Sequence, residues 1–146
     1  MRRGIQIDMD STFGNWLTLS LCLLIIPACM IIVGIALKKA SPKKINPVVG
    51  YRTRRSMMNQ DTWNFANQLA GKISFNWGMG TLIVTGICIA VMYGRSSEFI
   101  GVLGCVTMFA QLIPLCLLLV PVERALKRTF DDDGNRREVV AKEEEK

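Results

Sequence analysis

Histidine is absent from the 146 residues, which removes the commonest general base and the commonest metal ligand. Cysteines stand at positions 22, 29, 88, 105 and 116, none in a CxxC pair and all inside apolar runs. Such cysteines behave as small hydrophobes, so a disulfide framework or a zinc site is not expected. No cofactor and no metal is expected. Charge is missing from three long stretches: Trp16–Leu37, Ile73–Gly94 and Phe99–Pro121 hold no Asp, Glu, Lys or Arg. At about 1.5 Å per residue each reaches about 33 Å as a helix, enough to cross a hydrocarbon core of about 30 Å. A soluble single domain is excluded.

The implied fold is an all-α integral membrane protein with transmembrane helices over 16–37, 73–94 and 99–121. The remaining 30 charges sit between and beyond them. Loop 38–72 carries eight basic residues against the single acid Asp61, and the side richer in Lys and Arg stays in the cytoplasm. The expected topology is therefore a plasma-membrane protein with residues 1–15 outside, loop 38–72 inside, a short outer turn, and a charged cytoplasmic tail over 122–146. Ile26-Pro27-Ala28-Cys29 has the outline of a lipoprotein cleavage box. The apolar run continues past it to Leu37, so cleavage is not expected.

Within the spans, Pro27 and Pro114 each remove a helix hydrogen bond and predict kinks. Gly86, Ala90 and Gly94 recur at four-residue spacing, and Gly101 and Cys105 repeat the pattern. Small residues so placed let helices pack closely, within the three-helix unit or in a homo-oligomer. Asn76 and Gln111 are costly in hydrocarbon and should face protein or water, as interhelical hydrogen bonds or a polar lining.

The first loop is dense in special residues. Gly50 permits a tight backbone, Tyr51 offers an amphipathic ring, and Arg52 a planar fork for phosphate or carboxylate. Arg52 could equally bond carbonyls at the end of the first span, or pair with Asp61 or Glu123. Ser56 can cap a helix from about Met57. Met58, Thr62, Phe65, Ala66, Leu69 and Ala70 then recur at helical spacing. This predicts a cytoplasmic interfacial amphipathic helix or an extension of the second span, with Trp63 at headgroup level. In the tail, Glu123–Arg128 continues the third span, and a turn containing Gly134 follows. Aligned as a calcium loop, its positions one and twelve are Thr129 and Val140, which cannot supply the required carboxylates, so calcium binding is not expected.

Asn46-Pro47-Val48-Val49-Gly50-Tyr51-Arg52-Thr53, then Ser56, Trp63, Ala66 and Asn67, resembles the signature of the SdpI family of bacterial membrane proteins. Glu123, Leu126, Phe130-Asp131 and Asp133-Gly134 also look family-like, and the chain is similar to the short three-span form. The resemblance implies that Asn46, Pro47, Gly50, Tyr51, Arg52, Thr53, Ser56, Trp63 and Asn67 form a partner-binding or structural motif. The best-known member, a larger protein, protects its producer from a secreted killing peptide and captures a transcriptional repressor at the membrane. The expected function is immunity to a secreted peptide toxin, with signalling through a cytoplasmic surface. Membrane lipids, the toxin and a cytoplasmic transcriptional regulator are the expected partners, and nucleic acid is not. Two alternatives are an inner-interface lipid-phosphate binding protein, using Arg52, Arg54 and Arg55, and a small oligomeric transporter lined by Asn76 and Gln111. Asp61 without histidine or a second carboxylate makes a poor catalytic group, so no enzymatic activity is expected. In a cysteine-free background, Arg54→Cys is expected to resist a membrane-impermeant maleimide in intact cells. Labelling from outside would invert the topology.

Overall fold

The computed structural model describes residues 2–39, 45 and 48–137, with side chains from residue 11 onward. Asn46 and Pro47 of the motif lie outside the described residues. The described chain is helical: α1 (Arg2–Lys39), α2 (Gln60–Met92), α3 (Ser97–Leu117) and α4 (Leu119–Thr129). The only pairing of strand type among the described residues is an isolated bridge between Phe130 and Arg136. Three helical stretches are long and apolar enough to cross a membrane: Ser11–Lys39, Gln60–Met92 and Ser97–Thr129. The all-α architecture with three membrane-length helices thus follows the sequence reading. Many large apolar residues are exposed along these helices, such as Leu21, Ile32, Val102 and Phe109. So much exposed apolar surface is unsuited to water and suited to lipid.

Two local expectations are corrected. Of the two readings the extension of the second span holds and the separate interfacial helix does not: residues 60–72 are the first turns of α2, which continues unbroken to Met92. Its cap is Asn59 rather than Ser56. Asn59 Oδ1 accepts from the N–H groups of Asp61 and Thr62 at 3.0 and 2.9 Å, while the Asn59 N–H donates to Thr62 Oγ1 at 3.1 Å. This reciprocal pairing satisfies donors that the helix start leaves unpaired. At the other end of the chain, the third stretch is interrupted at Leu118, between α3 and α4. Pro121 has no N–H for the Leu117 carbonyl four residues earlier, which explains the interruption there.

The chain divides into two compact units. The first comprises residues up to Ile32 together with Asn76–Cys116. Leu23, Met92 and Ile100 are buried at its centre, with Trp16, Leu19, Cys88 and Leu103 packed around them. Pro27 is buried inside α1 and cannot donate to the carbonyl of Leu23. Gln111 of α3 supplies the missing donor: its Nε2 reaches Leu23 O at 3.1 Å and Thr85 Oγ1 of α2 at 2.7 Å. Thr85 passes its own hydroxyl proton to Thr81 O at 2.8 Å. One buried amide therefore joins three helices. A second carbonyl is rescued where α2 ends. Tyr93 N–H bonds Ala90 O, and the Trp16 indole donates to Ile89 O at 3.1 Å.

The expected small-residue face does not pack within the unit. A side chain at Gly86, Gly94 or Gly101 would meet nothing within 4 Å, and Ala90 and Cys105 are exposed. Close approach occurs instead at Gly78, where a Cβ would lie 2.9 Å from Ile31, and at Gly104, which faces Leu19. Four-residue spacing names a face of a helix but not which neighbour covers it. Asn76 is exposed and Gln111 is buried, so the structure does not bring the two polar residues together as one lining. All five cysteines are free, four of them on exposed faces.

The second unit comprises Val33–Phe75 and the residues from Leu117 onward. Its core is Leu37, Tyr51, Ala66, Ala70, Val122, Leu126 and Phe130, with Phe65, Leu69 and Ile73 against it. Here α1 and α2 touch through Gly34, whose hydrogen faces the backbone of Phe75, and through Gly71, which faces Leu37 and Lys38.

The shared amide generates a test. Gln111→Leu leaves Leu23 O without a donor, and interhelical bonds of this kind are worth about 0.6–2 kcal/mol. Thermal unfolding in detergent is expected to show a loss in that range. Pro27→Ala restores the helix's own donor, so the loss should shrink in that background. Equal losses in both backgrounds would dissolve the proposed pairing.

Candidate functional site

The motif folds into the core of the second unit. Gly50 adopts a φ of +129°, a conformation that side chains rarely tolerate. A Cβ there would stand 2.7 Å from the Trp63 ring and 2.8 Å from Asn67 Oδ1. Glycine is thus required both by backbone and by space. Asn67, one turn after Trp63 on α2, is fully buried. Its Oδ1 accepts the Tyr51 N–H at 2.7 Å and its Nδ2 donates to Trp63 O at 2.8 Å. Trp63 is itself fully buried, so its ring is covered by protein and makes no contact with lipid. The ring fills the space that Gly50 leaves vacant.

Tyr51 is buried, and its hydroxyl donates toward Leu119 O and Glu123 Oε1, both at 3.3 Å. Burial, reinforced by the neighbouring Glu123 carboxylate, raises the phenol pKa far above its usual value, so Tyr51 remains a neutral donor. Ser56 closes the following turn. Its Oγ donates to Tyr51 O at 2.8 Å and accepts the Thr53 N–H at 2.8 Å, while Thr53 Oγ1 accepts the Ser56 N–H at 3.3 Å. Gly50, Tyr51, Thr53, Ser56, Trp63 and Asn67 therefore come together as one assembly. Arg52 does not join it. Its side chain is exposed and forms no ion pair among the described residues. Both carboxylates foreseen for it are engaged elsewhere: Asp61 by Arg136 at 2.7 and 3.0 Å, and Glu123 by Tyr51.

The segment after α4 folds back on the motif. Asp131 accepts the N–H groups of Asn135 and Asp133, and the Asn135 bond above all holds its carboxyl below the usual range. Phe130 is buried edge-on to Phe65, with ring centroids 5.5 Å apart. Asn59 Nδ2 donates to Gly134 O at 2.6 Å, and Arg55 pairs with Asp132 at 2.9 Å. Nothing in sequence spacing links residues 65 or more positions apart, so these tail contacts lie beyond a reading of the sequence.

Two clefts accompany these assemblies. One of about 500 Å³ in the second unit is lined by Arg54, Arg55, Met58, Glu123, Lys127 and Asp132. The other, about 410 Å³ in the first unit, is aromatic and includes Phe13, Trp16, Tyr93 and Arg95. Trp16 stacks on Phe13 at 5.6 Å and meets Tyr93 edge-on at 5.2 Å.

A model of the SdpI/YfhL protein family matches residues 43–122. The chain is also 35% identical over 108 residues to the uncharacterized protein YfhL of Bacillus subtilis strain 168, a match covering 73% of this chain and 88% of that protein. This chain belongs to the SdpI/YfhL family. No solved structure matches it. Membership and the three membrane-length helices together make it a multi-pass membrane protein. The SdpI/YfhL match encloses the Gly50–Asn67 assembly, Thr85 and Gln111, and stops at Val122, before the Phe130 turn.

The geometry makes Gly50, Tyr51, Trp63 and Asn67 depend on one another. Gly50→Ala is expected to cost about 1–3 kcal/mol in backbone strain, before the clash with Trp63. Tyr51→Phe should cost about 0.5–1.5 kcal/mol, the net worth of an ordinary hydrogen bond. Thermal melts of the two purified variants should rank in that order, and an unchanged Gly50→Ala melt would contradict the packing described.

Proposed function

We propose that this protein is an immunity-type binding protein that protects its host from a secreted antimicrobial peptide at the membrane. The single observation supporting the reading is membership of the SdpI/YfhL family, resting on both the family match and the similarity to YfhL. In this reading the N-terminus faces outward, as the basic loop between the first two spans favours. The cleft of Phe13, Trp16 and Tyr93 then opens toward the outer leaflet, where an apolar side chain of an incoming peptide could seat. The motif would hold the second unit together, leaving the exposed Arg52 for a cytoplasmic regulator.

The test is expression in a bacterium sensitive to the killing peptide that the best-known family member neutralises. Survival is expected to rise over the empty-vector control by at least tenfold. Killing that is unchanged at verified membrane expression would argue against immunity.

A further inference from the structure

We infer that the cleft formed by the Arg54-Arg55 turn and α4 binds a phosphate ester whose alcohol carries a free hydroxyl, such as a glycerol phosphate. The cleft measures about 500 Å³, and three cations line it: Arg54, Arg55 and Lys127. They do not play the same part. Arg55 is committed to Asp132 at 2.9 Å, which fixes one wall. Arg54 and Lys127 form no ion pair among the described residues. They come from separate segments, the motif turn and α4, so they approach the space from different directions.

Two unpaired cations converging on a concave space are suited to one compact anion, and a guanidinium fork matches the tetrahedral oxygens of phosphate. The one other carboxylate in the wall, Glu123, would repel a bare phosphate. It accepts the Tyr51 hydroxyl through Oε1, which leaves its second oxygen available as an acceptor. That oxygen suits a hydroxyl next to the phosphate. Met58 adds an apolar edge against which a short carbon chain can lie. The site thus selects a polyol phosphate over inorganic phosphate. The same chemistry occurs in an anionic phospholipid headgroup and in a soluble glycerol phosphate. General attraction of basic residues to an anionic membrane does not require a particular pair of cations or a hydroxyl acceptor.

The experiment uses the full chain purified in detergent. One arm counts phosphatidylglycerol and phosphatidylcholine adducts by native mass spectrometry. The other titrates sn-glycerol 1-phosphate and inorganic phosphate by calorimetry. Retention of phosphatidylglycerol over phosphatidylcholine, or binding of glycerol phosphate at least fivefold tighter than phosphate, is expected. Both should fall at least fivefold in Arg54→Gln/Lys127→Gln, whose side chains are exposed and whose fold can be verified by its melt. Glu123→Gln keeps an acceptor for Tyr51 and should reduce the preference for the hydroxyl-bearing ester. Adducts alone would identify the lipid headgroup as the source, and titration alone the soluble ester. Binding in neither arm overturns the inference. So does an equal loss in Lys38→Gln/Lys72→Gln, which removes the same charge outside the cleft.

Discussion

Every backbone carbonyl and N–H that a helix cannot satisfy must find a partner elsewhere, and in a lipid-embedded chain water does not provide one. Much of this structure follows from that constraint. Pro27 orphans the carbonyl of Leu23, and Gln111 crosses from α3 to bond it. The end of α2 leaves Ile89 O open, and the Trp16 indole takes it. In the loop of the second unit, outside the spans, folding rather than lipid withdraws the water: the Tyr51 N–H goes to Asn67 and the Thr53 N–H to Ser56, while Asn59 caps the first N–H groups of α2. Polar side chains that look expensive one at a time are the partners of backbone groups that would otherwise cost more.

Two oxygens fall outside this pattern. Gln111 Oε1 and Ser20 Oγ are buried and have no hydrogen-bond partner among the described residues. Gln111 therefore spends both its N–H groups while its carbonyl stays unanswered. The amide serves there as a donor, and the unmet acceptor is the cost of placing a donor opposite Leu23.

The membrane architecture was readable because its signal is long and additive: more than twenty consecutive uncharged residues leave few alternatives. The motif was readable as a place, since Gly50, Tyr51, Trp63 and Asn67 are unusual in combination. Its internal logic was not. Trp63 looks interfacial by residue type, and only the void above Gly50 shows why it is buried. Ser56 is a plausible cap by residue type, but it is Asn59 that caps α2, a choice fixed by its reciprocal bonds with Thr62. Gly34, Gly71, Gly78 and Gly104 pack against neighbours although they lack the regular spacing of Gly86, Ala90 and Gly94. Arg136 and Asp61 could not have been paired from spacing, because 75 residues separate them.

The Phe130 turn has a physical character of its own. Its ion pairs, Arg55 with Asp132 and Arg136 with Asp61, involve side chains that are well exposed on at least one partner. Ordinary electrolyte weakens pairs of that kind. Phe130 is only 2% exposed and sits against Phe65, and apolar burial is indifferent to screening but weakens on cooling. The aromatic plug is therefore the part of this short segment's attachment that tolerates brine and weakens in the cold, while its charges are the part that salt loosens.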